Sequence, residues 1–164
     1  MCWINNIIGT QSVRFNSYVA GGLVGQNLGT IVFSEDGFTV KSTIKTPVAN
    51  FNSTTVGGVA GSMQATTASI EFRAPNGEIY TSYTHAEDVM AEKMTRGNLV
   101  GALTDGTISR KKVNNKLCNP TIYTNDTTMN KLLGSCNNGR TPFWDEGTTG
   151  TMQEWLDKRI QEWQ

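Results

Sequence analysis

The sequence predicts a mainly β, repeat-containing fold, and three observations predict it. A glycine-centred motif occurs three times, as Gly21-Gly22-Leu23-Val24-Gly25, Gly57-Gly58-Val59-Ala60-Gly61 and Gly97-Asn98-Leu99-Val100-Gly101. The copies start 36 and 40 residues apart, and spaced self-similarity of this length marks a repeat architecture. Several segments between them alternate apolar and polar residues with the period of a strand. The composition agrees. Charged residues make up 17% of the 164-residue chain, below the roughly 25% of an average globular domain. Gly, Thr, Asn and Ser are abundant and suit turns and exposed strands.

Taken in order, residues 1–17 form a lead-in, with a turn at Gly9-Thr10-Gln11 and an alternating strand over Ser12 to Asn16. The repeat region spans 18–113. Its first strand runs from Tyr18 to Val24, and Asn27-Leu28-Gly29 turns the chain into Thr30-Ile31-Val32-Phe33. Phe38, Val40 and Ile44 share one face of the strand that follows Ser34-Glu35-Asp36-Gly37. Residues 68–73 and 79–83 read as a β-hairpin around Ala74-Pro75-Asn76-Gly77-Glu78, because Pro presets φ and Asn-Gly accepts positive φ. Thr84-His85-Ala86-Glu87 has the form of a capping box, so a short helix is predicted over 85–95. Residues 114–150 are Asn/Thr-rich and irregular. A second capping box, Thr151-Met152-Gln153-Glu154, opens an amphipathic C-terminal helix over 151–164 with Met152, Trp155, Leu156, Ile160 and Trp163 on one stripe.

Glycine inside a strand costs roughly 0.5–1 kcal/mol relative to Ala, so a repeated glycine needs a repeated reason. Each motif sets one apolar residue, Leu23, Val59 or Leu99, between two residues without side chains. Close approach of stacked backbones, or a sharp bend on either side of the apolar residue, is the expected cause.

The run Val19-Ala20-Gly21-Gly22-Leu23-Val24-Gly25-Gln26-Asn27-Leu28-Gly29-Thr30-Ile31 closely resembles the GLUG repeat of large bacterial surface and secreted proteins, which include haemagglutinin-like adhesins and some surface peptidases. The second copy replaces Leu-Val by Val59-Ala60, and the third replaces the second glycine by Asn98 and ends in Gly106-Thr107-Ile108. The resemblance implies β-solenoid-like stacking, a cell-surface or secreted setting and no catalytic residues. A single β-rich domain with internal repeats is the alternative architecture. A structural or adhesive module, excised from a longer chain, is the expected function. Its partners would be a host glycan or protein, or neighbouring repeats of the same chain. A phage fibre or receptor-binding component, or a non-catalytic region of a secreted peptidase, are the alternatives.

Other chemistry finds little support. The formal net charge is zero, which gives no field to gather nucleic acid or anionic membrane. No apolar run reaches the 18 or more residues of a membrane span. Met1 to Ile8 has neither the basic leader nor the apolar core of a signal peptide. The single histidine, His85, lacks motif partners for a triad or a zinc site, and no cofactor or nucleotide motif occurs. Glu35-Asp36 and Glu87-Asp88 lack a calcium-ligand pattern and read as solvated turns. Arg110-Lys111-Lys112 with Lys116 is a small basic cluster without interleaved aromatics. Cys118 and Cys136 are a candidate disulfide, with independent thiols as the other reading.

Overall fold

A computed structural model describes residues 2–4, 10–14, 19–34, 37–46, 54–85, 94–124, 132–136 and 143–146. It is a parallel β-coil in which each turn contributes up to four short strands. The elements are β1 (Cys2–Ile4), β2 (Thr10–Arg14), β3 (Val19–Gly21), β4 (Val24–Asn27), β5 (Thr30–Phe33) and β6 (Phe38–Thr46). They continue with β7 (Thr54–Gly57), β8 (Ala60–Met63), β9 (Ser69–Phe72), β10 (Gly77–His85), β11 (Met94–Gly97) and β12 (Val100–Leu103). The last are β13 (Thr107–Arg110), β14 (Lys112–Val113), β15 (Lys116–Leu117), β16 (Thr121–Thr124), β17 (Leu133–Cys136) and β18 (Phe143–Asp145).

Strands of successive turns stack into four parallel sheets. A glycine sheet holds β3, β7 and β11, and a corner sheet holds β4, β8, β12 and β17. A core sheet is ordered β1-β5-β9-β13-β18, and a groove sheet β2-β6-β10-β16. The chain visits glycine, corner, core and groove sheets in that order, so each motif copy begins a new rung. Gly21, Gly57 and Gly97 lie in register, as do Val24, Ala60, Val100 and Leu133.

The motif bends where an unbroken strand was expected. At the corner between β3 and β4, a Cβ on Gly21 would fall on the carbonyl oxygen of Val24. Gly57 and Gly97 stand in the same relation to Ala60 and Val100. The last glycine of the motif answers to a different constraint, the rung before it. A Cβ on Gly61 would lie 2.6 Å from the carbonyl oxygens of Ala20 and Gly25, and one on Gly101 would lie 2.5 Å from that of Gly61. Both causes foreseen for the repeated glycine, the bend and the close approach, therefore operate at different positions of one motif.

A hydrogen-bond ladder runs through these corners. The Val59 carbonyl accepts from the amides of Leu23 (3.0 Å) and Val24 (3.2 Å). The Leu99 carbonyl likewise accepts from Val59 (2.9 Å) and Ala60 (3.1 Å), and that of Leu132 from Leu99 (3.0 Å) and Val100 (3.1 Å). The last pair shows a fourth copy, Leu132-Leu133-Gly134, inside the segment read as irregular. Gly134 keeps the close approach, with a virtual Cβ 2.5 Å from the Gly101 carbonyl.

The core lies inside the coil. Ile31, Ile70, Ile108 and Phe143 form one column of the core sheet, and all are buried. Phe33 and Phe72 stack at 5.1 Å, and Phe38 lies over both rings at 4.3 and 5.9 Å. Such ring pairs add about 0.5–1.5 kcal/mol each beyond area burial. Two rungs on, the Phe33–Phe72 column continues as Arg110 and Asp145. Their side chains are 1% and 0% exposed and form a two-pronged pair, with Arg110 Nε and Nη2 donating to Asp145 Oδ1 (2.7 Å) and Oδ2 (2.6 Å). Arg110 Nη1 donates to Asn119 Oδ1 at 2.6 Å.

Several sequence expectations are corrected. Residues 68–83 are not a hairpin, because β9 pairs with β5 and β13 while β10 pairs with β6 and β16, all in parallel. The Pro75-Asn76-Gly77 turn is a coil corner, and the partners of its flanking strands lie one rung away. The helix over 85–95 is not present at its described ends. His85 closes β10 opposite Thr46, and Met94 opens β11 opposite Thr54. Residues 86–93 and the helix over 151–164 lie outside the described residues. Among the described residues the one antiparallel pairing is β14–β15, turned by Asn114 (φ 51°) and Asn115 (φ 61°). Positive φ at both central residues is what a type I′ hairpin turn requires, and Asn tolerates it.

Two stability predictions follow from this geometry. Gly61→Ala should lower unfolding free energy by at least about 2 kcal/mol, because backbone carbonyls fill its Cβ position. Gly25→Ala, whose Cβ would meet only the Val19 carbonyl at 3.6 Å among the described residues, should stay within about 0.5 kcal/mol of wild type. Equal losses in urea denaturation would refute the stacked-rung explanation. In the buried pair, Asp145→Ala should cost about 3–5 kcal/mol by stranding the guanidinium, whereas Arg110→Met with Asp145→Leu should recover most of that loss. A double variant no more stable than Asp145→Ala would show that the pair is not a self-contained polar insertion in the apolar column.

Candidate functional site

The motif residues singled out from sequence are architectural. Gly22 and Gly58 sit where the groove sheet presses on the glycine corner. A Cβ on Gly22 would fall on Ser42 Oγ, and one on Gly58 on Thr81 Oγ1. Ser42 Oγ instead donates to the Gly58 carbonyl at 3.0 Å. Val59 and Leu99 are fully buried, and Leu23 and Val24 pack against the core cluster. The motif brings its own residues together in the interior and offers no reactive side chain.

Cys118 and Cys136 are not joined by a disulfide. Cys136 ends β17 in the column of Met63 and Leu103, whereas Cys118 follows the β14–β15 hairpin. Burial pushes both thiols above their ordinary pKa, for Cys118 with a smaller contribution from the Glu146 carboxylate. The basic cluster is divided as well. Arg110 points into the core, while Lys112 and Lys116 are exposed on the hairpin. Among the described residues no three His, Cys, Asp or Glu side chains gather. No helix among those residues is long and apolar enough to cross a membrane. His85 lies in β10, and Glu35-Asp36 and Glu87-Asp88 lie outside the described residues.

A different site emerges on the outer face of the groove sheet. Side chains alternate across a strand, so Val40 and Ile79 turn inward and are buried while Lys41 is exposed. Register then aligns Lys41, Tyr80 and Tyr123 from β6, β10 and β16. The tyrosine rings stack at 4.5 Å with 10° between their planes. Lys41 Nζ, on the preceding rung, lies 5.3 Å from the Tyr80 ring centre, a cation–π contact. Tyr80 donates its hydroxyl to Glu78 Oε2 at 3.2 Å. Partial desolvation, then the charge and hydrogen bond of Glu78, push the Tyr80 phenol up from its ordinary value. It therefore remains a protonated hydroxyl at neutral pH.

This ladder is one wall of an open groove of about 520 Å³. Thr43 and Ser82 line the groove beside it, and the strand segments at Ser42, Thr81 and Thr124 also contribute. Tyr123 is 43% exposed and lies on the edge strand of the sheet among the described residues. Sequence reasoning missed the site because its residues lie on three rungs. The signals were present in the alternating strands Phe38–Thr46 and Gly77–His85, but only register shows that Lys41, Tyr80 and Tyr123 form one column.

The arrangement can bind by stacking and hydrogen bonding. No family model, no curated protein and no solved structure matches the chain.

Proposed function

We propose that the chain is a non-catalytic structural and adhesive module of the GLUG-repeat type, belonging to a bacterial surface or secreted protein. The observation that carries this reading is the register of the motif copies. Glycines and apolar residues repeated in sequence repeat in space at one corner of the coil, so the motif is devoted to stacking. Recognition is then left to outward columns such as Lys41-Tyr80-Tyr123. A stiff coil that repeats its outer face suits the display of binding groups along a surface protein.

The test is retention of the purified chain on insoluble mucin, peptidoglycan, cell-wall polysaccharide and fixed host cells, with a scrambled-face variant as control. Saturable retention on at least one preparation is expected. Retention on none of them would overturn the adhesive role and leave a spacer.

A further inference from the structure

The outer face of the groove sheet combines an aromatic stack, a lysine and hydroxyl side chains, and its chemistry selects a ligand class. We infer that the Lys41-Tyr80-Tyr123 groove binds a neutral oligosaccharide chain laid across the strands, along the coil axis. This rests on the adhesive reading and assigns its ligand and its site.

Direction is the first argument. The groove crosses β6, β10 and β16, and the backbone of these strands is already paired from rung to rung. A peptide docking by strand addition needs free backbone donors and acceptors, and β6 and β10, each paired on both sides, offer none, which leaves such a peptide only the outer edge of β16, beside the ladder and not over it. Recognition falls to side chains, namely aromatic rings with the hydroxyls of Thr43 and Ser82.

Ring chemistry is the second argument. One face of Tyr80 looks to Lys41 and the other to Tyr123. Tyr123, on the edge strand and 43% exposed, is the last ring of the stack among the described residues. An aromatic face carries negative quadrupole charge and attracts the weakly positive C–H face of a pyranose ring. The stack beneath holds the ring in place, so binding costs little side-chain entropy. The tyrosine hydroxyls and the Thr43 and Ser82 hydroxyls can then exchange hydrogen bonds with sugar hydroxyls.

Charge is the third argument. The Lys41 ammonium lies over Tyr80 and the Glu78 carboxylate accepts from the Tyr80 hydroxyl, so the wall carries one charge of each sign. Such a wall gives no advantage to a polyanion. Length agrees as well, since three strands at the usual spacing span roughly 10 Å, about the reach of two linked sugars.

The experiment is isothermal titration calorimetry of the full chain with cello-, chito- and xylo-oligosaccharides of increasing length, and with heparin and oligogalacturonate as acidic probes. At least one neutral series should bind, with affinity rising to a plateau once the groove is filled. Tyr123→Ala should weaken that binding about tenfold, and Tyr123→Phe should retain most of it. Ser82→Gln, which fills the groove beside the ladder, should weaken it independently, with unchanged thermal unfolding showing that both variants fold. Binding by acidic probes alone would overturn the inference. So would neutral binding unaffected by both Tyr123→Ala and Ser82→Gln. Surface retention without binding of any neutral series would overturn the groove assignment while leaving the adhesive role standing.

Discussion

The fold depends on a backbone contact that only glycine permits. At each glycine corner, one carbonyl accepts from two consecutive amides of the preceding rung, as Val59 does from Leu23 and Val24. Leu99 and Leu132 repeat the arrangement. The chains approach closely enough that a Cβ on Gly61, Gly101 or Gly134 would meet carbonyl oxygens at 2.5–2.6 Å. Each hydrogen bond contributes only about 0.5–1.5 kcal/mol net, but burying its groups unpaired costs more. The corner therefore acts as a registration device. Once it is aligned, every other column follows, including the isoleucines of the core sheet and the tyrosines outside.

The inner columns show how a repeat tolerates substitution. Phe33 and Phe72 fill the same position in successive rungs, and the next two rungs place Arg110 and Asp145 there. A charge in an apolar column is tolerable because its partner sits on the neighbouring rung and Asn119 takes a further donor. The change coincides with the β14–β15 hairpin inserted just after Arg110. The Lys112 amide donates to Glu146 Oε2 at 2.8 Å, and the Glu146 amide donates to the Arg110 carbonyl at 3.0 Å. The last described rung thus helps to hold the insertion.

Much of the corner was legible in the sequence, because its requirement is local. Gly21, Gly57 and Gly97 announce themselves as repeated glycines, and the Asn27-Leu28-Gly29 turn is closed by a Gly29 amide bonded to Asn27 Oδ1 at 3.2 Å. What stayed hidden depends on partners a full rung away. Alternation with a Pro-Asn-Gly turn describes a hairpin and a coil corner equally well, and only long-range pairing separates them. The fourth copy lacks the leading glycine pair, so Leu132-Leu133-Gly134 was too short to recognise. Arg110 looked like part of a basic surface because its neighbours are lysines, while its burial is set by Phe72 and Asp145. The Tyr80–Tyr123 stack was invisible for a related reason, since the hairpin insertion breaks the spacing that would have aligned the two residues.

Native-state hydrogen exchange at the corner amides tests the central claim most directly. The amides of Val59, Ala60, Leu99 and Val100 should exchange together and as slowly as those of Ile70 and Ile108 in the core sheet, because one cooperative opening must break both. Fast exchange at the four corner amides with full protection of the core sheet would contradict the account, since the coil would then hold its register without the glycine corner.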